Sequence, residues 1–141
     1  MEKIDVVCGI VSHDNKILVC QKGIGPFKDK WEFPGGKIIR GESVQDSIIR
    51  ELFEEIELSV VPKKQILSYH FGNFNLIFIE CICRESFKIK LKEHQSFIWC
   101  DITSLNQLNF VEGDIKCVQF LIQNFPNGLD SHDNKDTTKL G

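Results

Sequence analysis

The chain has 141 residues, 42% of them hydrophobic and 26% charged, with a formal net charge of -3. That length suits one domain able to hide roughly 70% of its unfolded surface, and the composition excludes a wholly disordered chain. The acidic total argues against binding a nucleic-acid polymer through its backbone. It leaves room for a small phosphorylated ligand if a metal ion supplies the positive charge.

The longest uninterrupted apolar stretch covers residues 6–11, too short to span a membrane. Residues 1–5 lack the basic and apolar regions of a signal peptide. The expectation is a soluble cytoplasmic protein without membrane contact. Six cysteines, Cys8, Cys20, Cys81, Cys83, Cys100 and Cys117, all fall inside apolar runs with no C-x-x-C pair, and read as reduced core thiols.

In chain order, residues 4–11 are rich in β-branched side chains and predict a strand. A turn at 13–16 and a second strand over 17–21 make a hairpin, followed by a loop over 22–30. Residues 31–37, Trp-Glu-Phe-Pro-Gly-Gly-Lys, predict a short extended piece broken by proline and glycine. Residues 43–58 have helical periodicity, with Val44, Ile48, Ile49, Leu52, Phe53 and Ile56 on one arc and Ser43 as N-cap. Strands follow over 65–71, 75–84, 87–92 and 97–101, with a hairpin turn at Gly72-Asn73. A second helix covers 111–125, its apolar face including Val111, Ile115 and Val118. The fold class is α+β (mixed α/β), one domain over 1–125, and 126–141 predicts a frayed polar tail.

Within the first helix Glu51, Glu54 and Glu55 are spaced i, i+3, i+4 and share one face. Such a cluster fits either a solvated acidic face or a site for a hard divalent cation such as Mg²⁺ or Mn²⁺. Gly35 and Gly36 lie just upstream, where backbone can approach a ligand closely, and Glu42 can reach the same place from the loop. His13, His70, His94 and His132 show no metal-ligand spacing.

Together, Gly36, five residues, Glu42, seven residues, then Arg50-Glu51-Leu52-Phe53-Glu54-Glu55-Ile56-Glu57-Leu58 resemble the Nudix box, G-x5-E-x7-R-E-U-x-E-E-x-G-U. Eight of its nine specified positions are met, and Glu57 stands where the family has glycine. That departure predicts a locally altered helix end, with Glu57 adding a fourth carboxylate near the cluster. The approach over 31–37, the Glu93-His94-Gln95 segment and the start of the last helix are similar to MutT-like nucleoside triphosphate pyrophosphohydrolases, particularly the CTP pyrophosphohydrolase branch.

The resemblance implies a Nudix fold, a mixed sheet packed between the carboxylate helix and the C-terminal helix. It implies Mg²⁺- or Mn²⁺-dependent hydrolysis of normal, oxidised or methylated nucleoside triphosphates to monophosphate and pyrophosphate. Glu51, Glu54 and Glu55 would hold metal, with the Gly35 carbonyl as a fourth ligand and Glu42 in the outer shell. Glu93 would take the proton, and Arg50 would hold a helix carboxylate. Phe33 would stack on the base and Asp114 read its edge, or else cap the last helix; Lys37 could meet a phosphate, and Gln21 or Lys22 the sugar or base. The implied partner is a nucleoside triphosphate and the state a monomer or homodimer. ADP-ribose or a dinucleoside polyphosphate is the alternative substrate class, and a non-catalytic nucleotide-binding module the alternative function.

Overall fold

The computed structural model describes residues 2–83 and 88–129. Its elements run β1 (Ile4–His13), β2 (Lys16–Lys22), β3 (Trp31–Glu32), β4 (Gly35–Lys37), α1 (Val44–Ile56), β5 (Val61–Phe71), β6 (Phe74–Ile82), β7 (His94–Cys100), a 3-10 helix (Ile102–Gln107) and α2 (Glu112–Asn124).

The strands form one mixed sheet in the order β3-β2-β1-β6-β5, with β4 pairing β1 and β7 pairing β2. β1 and β6 are parallel over nine registered pairs, Ile4↔Phe74 to Ser12↔Ile82, while the other pairings are antiparallel. Both faces of the centre are covered, so β1, β2 and β6 are apolar on both faces, as strands sandwiched between helices must be. Val7, Val11, Leu18, Ile77 and Ile79 pack with Ile48, Leu52 and Ile56 of α1. Their sequence neighbours Cys8, Ile10, Ile17, Val19 and Phe78 pack with Cys117, Val118 and Leu121 of α2. The period-2 alternation of the strands sorts one chain into these two cores. All six cysteines are buried free thiols, as the apolar runs around them predict.

Ser43 caps α1, accepting from the Asp46 N–H at 3.0 Å. The apolar stripe of α1 is narrower than its periodicity predicts: Ile48, Leu52 and Ile56 are fully buried, whereas Ile49 and Phe53 are 40% and 55% exposed. A sheet seats one i, i+4, i+8 row of a helix, and these two residues lie beside it. In α2 the same effect leaves Ile115 exposed and buries Asp114. No strand forms over 88–92; Ile89 and Leu91 instead pack against the α1-side core, which accounts for their alternation without pairing. Residues 84–87 lie outside the described residues. The start of the predicted tail stays on the body, since Leu129 is 2% exposed and packs in the α2-side core. Residues 130–141 lie outside the described residues.

Glu57 does not alter the helix end. It takes the left-handed conformation itself, φ 52° and ψ 36°, its N–H donating to Phe53 O and the Leu58 N–H to Leu52 O. This is the hydrogen-bond pattern in which glycine is usual, because a Cβ crowds the following carbonyl. Its carboxylate faces Lys92 Nζ at 3.7 Å and does not line the space that Glu51, Glu54 and Glu55 share. Glu57→Gly is expected to stabilise the fold by about 1 kcal/mol, read as a raised urea midpoint with an unchanged m-value.

Candidate functional site

Arg50 organises the acidic side of α1. Its Nε and Nη2 donate to the two oxygens of Glu42 at 2.7 and 3.0 Å, the paired geometry that matches a guanidinium to a carboxylate. Nη1 donates to Glu51 Oε1 at 2.9 Å and to Glu54 Oε2 at 3.1 Å, and Nη2 also reaches the Lys37 carbonyl at 3.1 Å. One cation thus serves three carboxylates and ties the helix to β4 and to the loop before it. The hydrogen bond from Arg50 is the main cause holding the Glu42 carboxyl down to about 2, and the same bond drives the Arg50 pKa above its ordinary value. Gly36 leaves room for the Glu51 carboxylate against β4; a Cβ there would force that carboxylate to shift.

Glu55 turns to β4 instead. It accepts from the Gly35 N–H at 3.3 Å. Burial pushes its pKa up to about 7, with the His94 charge opposing and those of Glu32 and Glu51 adding to the rise.

Glu51, Glu54 and Glu55 line a cleft of about 270 Å³. Glu32 of β3 and Glu93, just before β7, line it too, with Lys22, Lys92 and His94 as its cationic side chains. His94 is buried, and its Nε2 donates to Glu32 Oε2 at 2.8 Å, the oxygen that Lys22 Nζ approaches at 3.6 Å. Burial works against a charged His94, yet the Glu32 hydrogen bond and the Glu55 and Glu32 charges outweigh it and raise its pKa.

Five carboxylates facing so few cations form an oxygen donor set suited to a hard divalent ion. Among the described residues no three acidic, His or Cys side chains already converge as a cation cage, because Arg50 takes Glu51 and Glu54. The donors fit the metal by chemistry, in an arrangement closed on its own arginine.

A second space of about 460 Å³ shares Lys22 and Glu32 with the cleft. Its wall is mainly apolar and includes Phe27, Phe71 and Phe74, and Asp114 supplies a buried acid. Asp114 Oδ2 accepts from the Phe33 N–H at 2.9 Å. Burial pushes its pKa up to about 7, with that N–H opposing and the Glu32 charge assisting.

Of the residues singled out in the sequence, Glu51, Glu54, Glu55, Glu93 and Lys22 meet in the cleft, and Gly35, Phe33 and Asp114 line the second space. Others are placed elsewhere. Glu42 is taken up by Arg50 and does not line the cleft. Phe33 is 2% exposed, its ring against Phe110 and Phe78, so it is a wall with no free face for stacking. Asp114 is not the N-cap of α2; Val111 is, and Asp114 belongs to the first turn. Gln21 bonds the Asp29 carbonyl and Ser96 Oγ, which occupies it in holding the loop. Lys37 contributes its carbonyl. Sequence reasoning missed Glu32 and His94. The available signal was a glutamate between two aromatics, Trp31 and Phe33, and a histidine beside Glu93.

A NUDIX domain model matches residues 2–121. The chain belongs to the Nudix family. It is 31% identical over 113 residues to the 8-oxo-dGTP diphosphatase of Buchnera aphidicola subsp. Schizaphis graminum, covering 78% of this chain and 86% of that protein. To the CTP pyrophosphohydrolase of Escherichia coli it is 28% identical over 123 residues, covering 84% and 91%. A solved MutT structure, from work on the Aliivibrio salmonicida and Vibrio cholerae proteins, superposes with a TM-score of 0.70 at 29% identity, covering 88% of this chain and all of that one. The mixed α+β architecture is therefore the Nudix fold, and the chain is a Nudix hydrolase. Nudix hydrolases generally use divalent metal ions such as Mg²⁺.

The folded protein keeps a proton on Asp114 up to about pH 7, one that an unfolded aspartate releases near 3.9. Its contribution to stability is therefore present at low pH and lost as pH rises between those values, at no more than about 1.4 kcal/mol per pH unit. Glu55 acts in the same direction. Asp114→Asn, which still accepts from Phe33, is expected to flatten the fall without abolishing it, as urea unfolding between about pH 5 and 7 would show.

Proposed function

We propose that this Nudix hydrolase converts nucleoside triphosphates, normal, oxidised or methylated, to the monophosphate and pyrophosphate with Mg²⁺ or Mn²⁺. The observation that carries this reading is a pair of neighbouring spaces: an acidic cleft and an apolar cavity holding a buried acid, with Lys22 and Glu32 lining both. A triphosphate needs cations between itself and such a cleft, and a base needs an apolar slot with a few polar groups. The names of the Buchnera and Escherichia coli relatives point to the same substrate class.

Glu51, Glu54 and Glu55 would hold the metal, with the Gly35 carbonyl as a backbone candidate. When bound, the ion supplies positive charge to the phosphate oxygens and makes water easier to deprotonate. Arg50 keeps Glu51 and Glu54 in place through its Nη1. Glu93, exposed at the mouth of the cleft, takes the proton from the attacking water. Lys22 stands between the two spaces and meets the phosphate nearest the sugar. Asp114 reads the edge of the base, and its free oxygen is a donor when protonated and an acceptor when ionised. With Phe33 buried, the stacking face falls to Phe27 and Phe71, which are 53% and 40% exposed.

A panel of normal, oxidised and methylated nucleoside triphosphates, with ADP-ribose and a dinucleoside polyphosphate alongside, tests the reading through released pyrophosphate. Turnover of one or more triphosphates is expected, abolished by chelation and restored by Mg²⁺ or Mn²⁺. Glu54→Gln is expected to lower kcat by about 10²-fold or more, and Glu93→Gln by about 10²- to 10⁴-fold. Cleavage of ADP-ribose alone would move the substrate class. Tight triphosphate binding without turnover under either metal would leave a binding module.

A further inference from the structure

His94 has no part in the functional reading so far, and its surroundings are not those of an ordinary core histidine. Its side chain is 6% exposed. Nε2 is committed to Glu32, while Nδ1 is buried with no hydrogen-bond partner. A histidine kept only for packing would satisfy both nitrogens or reach water, since an unmet buried polar atom costs stability. The ring is held here by one strong charge-assisted bond to a residue 62 positions away in sequence.

The sheet explains how the two meet. β2 is flanked by β3 and β7, with Cys20 opposite Glu32 and Lys22 opposite His94. The register between β2 and β7 shifts at Gln21/Lys22: Gln21 pairs with Ser96, and the next pair is Lys22 with His94, skipping Gln95. Bulges of this kind re-aim a side chain. Without this one, Gln95 would oppose Lys22 and the histidine would lie one residue farther out. The neighbouring backbone is equally constrained: a Cβ on Gly23 would run into the carbonyl of Glu93, so the chain can approach there only because Gly23 has none. The Glu93 carbonyl thus lies close against Gly23, and the next residue's ring is anchored to Glu32.

We propose that His94 is a positioning residue for the reaction, the Glu32–His94 pair latching the start of β7 so that Glu93 stands over the Glu51, Glu54 and Glu55 cleft. This rests on the assignment of Glu93 as the proton acceptor and adds what places it. Glu32 also lines the apolar cavity, so one member of the latch borders both spaces.

The test has an arm independent of turnover. By ¹⁵N relaxation, the backbone order parameter of Glu93 is expected to fall from about 0.85 toward 0.6 in His94→Phe and in Glu32→Leu, which removes the acceptor. His94→Gln, which keeps a donor at the reach of Nε2, should retain most of the order, and a melting curve on each variant shows that it folds. An unchanged order parameter in both latch variants overturns the proposal, whether or not the wild type hydrolyses nucleotides. A wild type without turnover would sink the functional reading alone. In the kinetic arm His94→Phe is expected to lower kcat by about tenfold to 10²-fold with KM little changed, and His94→Gln to recover most of it. In the Glu93→Gln background the same His94→Phe change should cost less than about twofold. An equal cost in both backgrounds, or a loss confined to KM, shows that His94 does not act through Glu93 and overturns the proposal.

Discussion

The guanidinium of Arg50 is the contact on which the acidic site depends. Glu42, Glu51 and Glu54 carry like charges, and without a cation among them the end of the loop and the helix face would repel each other. Arg50 converts that repulsion into cohesion, and its fifth contact, to the Lys37 carbonyl, carries the hold into β4. A lysine could not replace it, because a single ammonium cannot address three carboxylates and a carbonyl in one plane. The isolated surface value of an ion pair is small, but a fork shared among several partly buried acids acts as a network.

Glu55 shows what that network leaves out. It shares its face with Glu51 and Glu54 in a helical projection, yet it lies next to Leu52 and Ile56, whose row seats on the sheet, and so it is drawn under β4. Its partner there is one backbone N–H, and its neighbours Glu32 and Glu51 add negative charge. The acids of one helix therefore differ in kind: two are neutralised by an arginine, and one is kept near neutrality by burial. The least satisfied carboxylate of the cleft is therefore the one that a cation would stabilise most.

Much of the fold is legible along the chain because its signals are local. Ser43 precedes a helical period and caps it; the Asp14-Asn15 and Gly72-Asn73 pairs turn hairpins; the continuous apolar runs of β1, β2 and β6 mark them as strands. The misreadings come from apolar residues whose burial is decided by what lies opposite. Ile49 and Phe53 are apolar but miss the sheet, while Ile89 and Leu91 alternate without a strand partner. Glu57 is a different case. Its left-handed turn follows from helix-end hydrogen bonding that glycine eases but does not alone create.

By itself the sequence determined the carboxylate helix and the family to which the chain belongs, since both are written in residues within about two dozen positions of one another. Only the tertiary structure decided that Phe33 is a wall, that Glu42 belongs to Arg50, and that Glu32 and His94 meet in the cleft. The physical reason is that β2 stands between β3 and β7 and joins segments 62 residues apart through pairing. Backbone hydrogen bonds between strands carry no side-chain signature, so the register that brings a charged pair together cannot be read from either segment alone.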